Sequence, residues 1–379
     1  MLLAVCLLGT AACGSTTTTS TGGGATQRAS PTAITRRAGF LGGLSQISTV
    51  ASTIPANGDE NPYAITVAPV SSGSVQKGDI LVDNFNARSN EQGTGTTIMD
   101  ISPNGSAKLF AAIPAKLSGC PGGVGLTTAM TMLETGWVIV GSTPSTDGTT
   151  TTAGAGCLIV LNSGGQVVST ISGPRMDGPW DMATVDSGTT AALFLTNTLI
   201  GVKAPGQPGV DEGNLLRITL RVPSSAAPTV TAMTVIGSGF PEQASSGAFV
   251  VGPTGVAYAS GTVYVSNPLT NSINAIPDAM TRTRSAGTGR IITTPQGFLN
   301  HPLAMVMAPN GDLLVTNALD GDIVEVSTTG RQVAEYPVDA DPAQSPPGSG
   351  DLFGLAVSAS GNGIYFAKDD TNTLALLHG

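Results

Sequence analysis

Leu313-Leu314-Val315-Thr316-Asn317 is a run of three aliphatic residues that ends in a hydroxyl and an amide. Asn310-Gly311-Asp312 precedes it and Asp320-Gly321-Asp322 follows it. Asn-Gly and Asp-Gly tolerate positive φ and mark tight turns, so the run reads as one short strand between two turns. Five more copies lie along the chain: Ile80-Leu81-Val82-Asp83-Asn84, Val138-Ile139-Val140-Gly141-Ser142, Leu193-Phe194-Leu195-Thr196-Asn197, Val263-Tyr264-Val265-Ser266-Asn267 and Ile364-Tyr365-Phe366-Ala367-Lys368. Their last residues are 58, 55, 70, 50 and 51 positions apart. A period near fifty residues is the signature of a repeated sheet unit.

Each copy sits in the same local order. In the fifth, a strand from His301 to Met307 precedes the motif, a third strand runs from Ile323 to Val326, and a fourth follows Gly330. Four short antiparallel strands make one propeller blade. Six copies predict an all-β, six-bladed β-propeller of four-stranded antiparallel blades over residues 44–379. The sixth copy ends after its third strand, Thr373 to Leu377, which would leave an unpaired edge. Ser45-Gln46-Ile47-Ser48-Thr49-Val50-Ala51 precedes the first blade and is expected to supply the missing fourth strand.

Composition agrees with this class. Charged residues are 11% of the 379, well under the roughly 25% of an average soluble protein. Gly (50) and Pro (25) serve the many turns. The net charge is −9 and the 16 basic residues are scattered, so no basic stripe exists to meet phosphates and nucleic acid is excluded as a partner.

Residues 1–13 read as an export signal. Met1 to Ala12 is an apolar run too short to span a bilayer. Thr10-Ala11-Ala12-Cys13 resembles the lipobox of bacterial lipoproteins, although Leu would be commoner at Thr10. The resemblance implies lipidation of Cys13 and a membrane partner through that anchor; Gly14 after the Cys favours the outer membrane or periplasmic face. An ordinary cleaved secretory signal is the alternative. Residues 14–43 are rich in Ser, Thr and Gly and read as a disordered tether with an r.m.s. reach of roughly 30 Å.

The repeats themselves resemble NHL repeats. The resemblance rests on Gly252-Pro253-Thr254-Gly255-Val256-Ala257 and His301-Pro302-Leu303-Ala304, each followed by a hydrophobic strand ending in Ser/Thr-Asn, and covers about residues 45–379. More narrowly, Asn61-Pro62-Tyr63-Ala64, Gln92-Gly93-Thr94-Gly95-Thr96-Thr97-Ile98, Gly178-Pro179-Trp180-Asp181 and the stretch Asn372 to His378 are similar to secreted bacterial NHL-type proteins of no assigned activity. That likeness implies a fold and an export route, not a reaction.

Cys120 and Cys157 remain in the mature globule, an even pair in an oxidising compartment. Both fall at one end of blade two, about two strand spacings or roughly 10 Å apart. A disulfide needs Cα atoms within about 7 Å, so the Gly-rich loops must fold inward. A disulfide that pins the Thr-rich loop 143–156 is expected, in preference to a metal site.

Signatures of chemistry are sparse. There is no Gly-x-Ser-x-Gly, His-Glu-x-x-His or Gly-Lys-Ser/Thr, and only two His, His301 and His378. The recurring Asn84, Asn197, Asn267 and Asn317 read as caps of the turn after the motif strand. Aligning the first strands places Ala64, Thr128, Asp181, Gly255, Ala304 and Gly354 at equivalent positions around one mouth of the channel. Asn61, Asp181, His301 and Asp351 could then converge from four blades. Asn61, Asp181 and Asp351 would suit calcium, with His301 and Asp181 as catalytic candidates, and Asn61, Trp180 and Asp351 as ligand contacts. The competing reading is local: Asp181 bonds its own loop, Asp351 caps a turn, His301 packs and Trp180 is core.

Two functions follow. The first is a monomeric, membrane-tethered or secreted extracytoplasmic scaffold that binds a protein, a glycan or a small molecule and needs no cofactor. The second is a calcium-assisted hydrolase or lyase of the lactonase or strictosidine-synthase type, by analogy of fold. The lack of a complete catalytic set puts the binding protein first.

Overall fold

A computed structural model describes residues 38–202, 204–350 and 352–379. It contains six antiparallel sheets arranged as consecutive blades. Blade one comprises Glu60–Val67, Ile80–Asn86, Thr97–Ile101 and Ala107–Ala112; blade two comprises Leu126–Met132, Val138–Ser142, Cys157–Leu161 and Val167–Ile171. Blade three runs from Gly178 to Val251, blade four from Val256 to Ile291, and blade five from Pro302 to Pro337. Blade six has Leu352–Val357, Gly363–Lys368 and Thr373–His378, and Gln46–Ser52 pairs antiparallel with the last of these. The fourth strand of the sixth blade thus comes from the opposite end of the propeller, as expected from the sequence.

The motif strand is always second from the axis. It is covered on both faces, and every residue of Ile80–Asn86 and of Leu313–Asn317 is buried. This explains why the motif is a continuous apolar run and does not alternate. The apolar core is divided into layers between blades. One joins Leu81 and Ile98 of blade one to Leu126 and Ile159 of blade two, and another joins Ile80 and Val82 to Tyr365 and Leu374 across the seam.

The polar end of the motif has a specific task. In blades one, two, three, five and six the register between first and second strands slips. Such a bulge leaves backbone groups outside the ladder. Asp83 Oδ1 accepts the Ala64 amide at 2.7 Å, Thr196 Oγ1 accepts the Asp181 amide at 3.0 Å, and Ser266 Oγ accepts the Gly255 amide at 2.8 Å. The hydroxyls also donate onward to the next blade: Thr196 to the Thr254 carbonyl, Ser266 to that of Leu303, and Thr316 to that of Phe353. Thr127 does the same from the first strand of blade two to Pro179. The residues at this level are small because the neighbouring backbone is close. A Cβ on Gly255 would lie 2.0 Å from the Leu303 carbonyl oxygen, and one on Gly354 would lie 2.2 Å from that of Tyr63.

Two readings of the sequence need correction, and one interval gains its explanation. The tether is shorter than 14–43 at its far end, because Leu41 is fully buried and packs with Leu44 and Phe40 on blades five and six. The carboxylate of Glu325 accepts the Phe40 and Leu41 amides at 2.8 and 2.9 Å, so the turn before the closing strand is anchored. Residues 1–37, including Cys13, lie outside the described residues. The recurrent Asn residues also do more than cap the following turn. Asn267 does accept from Leu269, but Asn197 accepts from Gly178 and Asn317 accepts from Asn300, which fixes the loops that lead into the first strands. Finally, the long 70-residue interval in blade three is an addition to the sheet. Thr229–Ser245 overruns its partner and turns back through Phe249–Val251, forming a two-stranded arm.

Cys120 and Cys157 form a disulfide with Cα atoms 5.5 Å apart. The loops do fold inward: Gly122 and Gly154 approach so closely that a Cβ on Gly154 would sit 2.5 Å from the Gly122 Cα.

Two outcomes test this architecture. Deleting residues 46–52 exposes the Thr373–His378 edge and should abolish cooperative thermal unfolding, whereas deleting residues 1–37 should leave the midpoint unchanged; a cooperative transition in the first variant would refute closure by this strand. Thr196→Val keeps the volume but loses one acceptor and one donor, and should cost about 1–3 kcal/mol in denaturant unfolding. Thr196→Ser should cost much less, and equal losses in both variants would argue against the hydroxyl bridge.

Candidate functional site

The bulges that seal the blades also shape the axis. Tyr63, Thr128, Trp180, Thr254, Leu303 and Phe353, one from each blade and all but Thr254 at a register slip, surround with Ala304 a void of only about 10 Å³. This constriction separates two larger spaces. On one side is a channel of about 360 Å³ lined by the first strands, with Asp181, Thr184, Met305 and Val357 among its walls. On the other side is a mouth cavity of about 440 Å³.

The mouth cavity brings together Asn61, Trp180 and His301 of the residues singled out in the sequence. Asp181 does not join them. Its carboxylate lies in the channel and accepts two backbone amides, from Met182 at 2.7 Å and from Val256 of blade four at 2.9 Å. Asp351 lies outside the described residues. The calcium set of Asn61, Asp181 and Asp351 is therefore not assembled among the described residues, and no three His, Cys, Asp or Glu side chains gather there to hold a metal. Asp181 loses its catalytic candidacy for the same reason, since both oxygens are committed to joining two blades.

Asn61 and His301 are held in similar ways. Each precedes a proline at or near the start of a first strand, and each has a left-handed backbone, with φ of 62° and 56°. A non-Gly residue in that region costs about 1–3 kcal/mol and persists only where its surroundings impose it. Here an Asn from the preceding blade imposes it: Asn372 Oδ1 accepts the Asn61 amide at 2.6 Å, and Asn271 Oδ1 accepts the His301 amide at 2.9 Å. Both Asn residues are themselves left-handed, in the turn after a motif strand. Asn61 is only 4% exposed and its Oδ1 has no hydrogen-bond partner within the protein. An unsatisfied buried acceptor is costly, and this oxygen is itself closed off, so it is another part of Asn61 that lines the cavity. Burial holds the His301 imidazole below its usual pKa, against an opposing pull from Asp320, so it is neutral at pH 7.

Aromatic rings form the floor of the cavity, and most of them escaped the sequence reading. Tyr63 packs on Phe85 and Phe353 with ring centroids 4.8 and 4.2 Å apart, and meets Trp180 edge-on at 6.0 Å. Phe249, from the blade-three arm, stacks on Trp180 at 6.3 Å and meets Phe85 at 5.8 Å. Phe249 is itself left-handed, with φ of 59°, an outlier for a bulky residue. Gln92 ties the arm to blade one by donating to the Gly247 carbonyl at 2.8 Å. Trp180 is 3% exposed, so it is a core residue and a cavity wall at once. Asp369 lines the cavity as well. The missed signal was positional: Tyr63, Trp180 and Phe353 stand one residue before the aligned small positions.

The sequence matches no family model, and no curated protein matches it. Solved structures do resemble it. A gluconolactonase of Xanthomonas campestris aligns with a TM-score of 0.51 and 13% identity, covering 88% of this chain and 89% of that one. A calcium-binding protein, regucalcin, of Agrobacterium tumefaciens aligns with a TM-score of 0.52 and 12% identity over 87% of this chain and 94% of that one. At such identities the likeness is one of fold.

Burial raises the pKa of Asp181 to about 7, against the lowering effect of its two backbone donors. Between the ordinary carboxylate range near 4 and about pH 7 the folded chain then holds a proton that the unfolded chain has lost. Stability from this group is full at the acid end of that window and falls as pH rises through it. Asp181→Asn cannot titrate, so the gap in thermal midpoint between wild type and variant should be widest near pH 4 and shrink by pH 8. A gap that is constant with pH would disprove the linkage.

Proposed function

We propose that this chain is an extracytoplasmic NHL-type β-propeller that binds a small organic ligand in the mouth cavity. It is carried on the bacterial envelope through a lipid at Cys13, or secreted if the signal is simply cleaved. The observation that carries the binding reading is the mouth cavity itself, aromatic-floored, with Asn61 and His301 fixed in its wall by the preceding blades. A volume of about 440 Å³ suits a small ligand, and apolar walls with few polar groups are what such sites use. The Asn372 and Asn271 clasps support the same reading, since they fix Asn61 and His301 before any ligand arrives. The Cys120–Cys157 disulfide supports an oxidising compartment.

A second reading, a hydrolase or lyase of small esters or lactones, is favoured by one observation: a neutral imidazole, His301, shares the cavity with Asn61 and is able to act as a base. It differs from the first in needing His301 for turnover and not for binding.

The test uses Trp180 as reporter. In a Trp137→Phe background, a set of small water-soluble aromatic compounds of mixed charge is titrated while tryptophan emission is followed. At least one compound should shift the emission saturably, and Asn61→Gly, which keeps the left-handed backbone but removes the amide, should weaken it tenfold or more. No saturable change with any compound would refute the ligand site. Turnover of a bound ester or lactone that vanishes in His301→Gln, with binding retained, would promote the second reading.

A further inference from the structure

The mouth cavity offers an entering ligand no unmet charge. The described residues that line it include no Lys or Arg, and one carboxylic acid, Asp369, which is already engaged within the protein. Burial holds the His301 imidazole neutral at pH 7 and pushes the Tyr63 phenol upward from its usual pKa, so neither carries charge there. An ion entering this space would leave its water and find no free counter-charge to replace it. A cation would have to compete with the partner that Asp369 has. An anion would meet that carboxylate and the negative faces of Tyr63, Trp180 and Phe353. The cavity therefore selects against both signs.

Its open polar groups stand on one side. His301 is half-buried, and its hydrogen bonds are made by its backbone: the amide donates to Asn271 Oδ1 and the carbonyl accepts from Ala318. Among the described residues neither ring nitrogen has a hydrogen-bond partner. Asp320, whose charge acts on the imidazole, instead accepts from the Asn300 side chain at 2.9 Å. Ser349 is half-buried too, and its hydroxyl likewise has no partner among the described residues. Ala318 draws the two together, since its amide meets the His301 carbonyl at 3.0 Å and its carbonyl accepts the Gly350 amide at 2.7 Å. The floor is of another kind. Phe353 is half-buried, so part of its flat face stays open to the cavity, packed beside Tyr63 at 4.2 Å.

A plain hydrocarbon would cover the floor but leave the imidazole and the Ser349 hydroxyl without partners once water is expelled. A neutral imidazole presents one donor and one acceptor, and a hydroxyl is both at once, so an alcohol meets His301 in either tautomer and exchanges a bond with Ser349. A flat body is favoured over a branched one because the open face of Phe353 is flat. We propose that the mouth cavity takes an uncharged aromatic alcohol, with its ring against Phe353 and Trp180 and its hydroxyl on His301 and Ser349. This rests on the reading of the cavity as a ligand site and names the chemical class that fills it.

Near-isosteric probes separate charge, polarity and shape: benzyl alcohol, toluene, benzylammonium and benzoate. Each is titrated at pH 7.5 and constant ionic strength into the full chain carrying Trp137→Phe, with Trp180 emission as readout. Benzyl alcohol should bind about tenfold more tightly than toluene, the gain of its hydrogen bonds, and both ions should bind more weakly than either. His301→Gly, which keeps the left-handed backbone and removes the ring, should erase the gap between benzyl alcohol and toluene, and the remaining response to toluene shows that the variant is folded. His301→Gln keeps a donor and an acceptor and should retain most of the gap. If toluene or either ion binds as tightly as benzyl alcohol, the alcohol class is wrong while the cavity remains a ligand site; this order is read in the parent chain and stands even if a variant fails to fold. A gap that survives in His301→Gly overturns the assignment to the imidazole. If none of the four perturbs Trp180, the cavity is not a ligand site and both readings fall together.

Discussion

The backbone amide left outside the ladder where an inner strand bends, in five of the six blades at a register slip, is the point on which this molecule turns. A propeller needs its inner strands to bend at the axis, and a bend removes ladder hydrogen bonds. Here the polar residue just before the motif's last, Asp83, Thr196 or Ser266, accepts the amide instead. An isolated blade would be satisfied by an acceptor alone. A hydroxyl is both acceptor and donor, so Thr196 and Ser266 serve their own blade and the next with one oxygen. Blade one uses a carboxyl in the same place: Asp83 is fully buried, accepts only the Ala64 amide through one oxygen, and burial pushes its pKa upward.

The same bend creates the site. One side chain from each blade, five of them at a slip, lines the axis at this level, and together with Ala304 these form the constriction between channel and mouth. Three of them are aromatic, on blades one, three and six, and they support the cavity floor. The remaining polar groups hang on the residues just before the opening prolines, positioned by Asn side chains of the preceding blades. Architecture and cavity wall therefore draw on one set of positions, which limits how far the floor can vary without loosening the ring.

The fold was legible because its strongest constraint is local. Central strands buried on both faces must be apolar throughout, so the repeats stand out, and the count of strands in the last blade asks for the segment before the first. The site was only half legible. Asn61, Trp180 and His301 could be found because they break a pattern of small residues near the opening prolines. Asp181 broke that pattern too, yet its partner is the Val256 amide of the neighbouring blade, which no local reading shows. Phe249 lay hidden in a long interval that has no counterpart in other blades. Phe40 and Leu41 were masked by the composition around them, although two adjacent large apolar residues in a polar stretch are a sign of docking.

The seam has a consequence for how the ring comes into being. Ser48 and His378, side by side across the joint, are 330 residues apart in the chain. The loop that must close is far longer than any within a blade, and entropy charges for such length mainly as slowness. Synthesis from the N-terminus delivers the early strand long before its mate, so five finished sheets wait with an open flank until the final one arrives. The Glu325 clasp on Phe40 and Leu41 lies beside that joint and gives the early strand a parking place on the fifth sheet, one that shortens its search once the sixth is made.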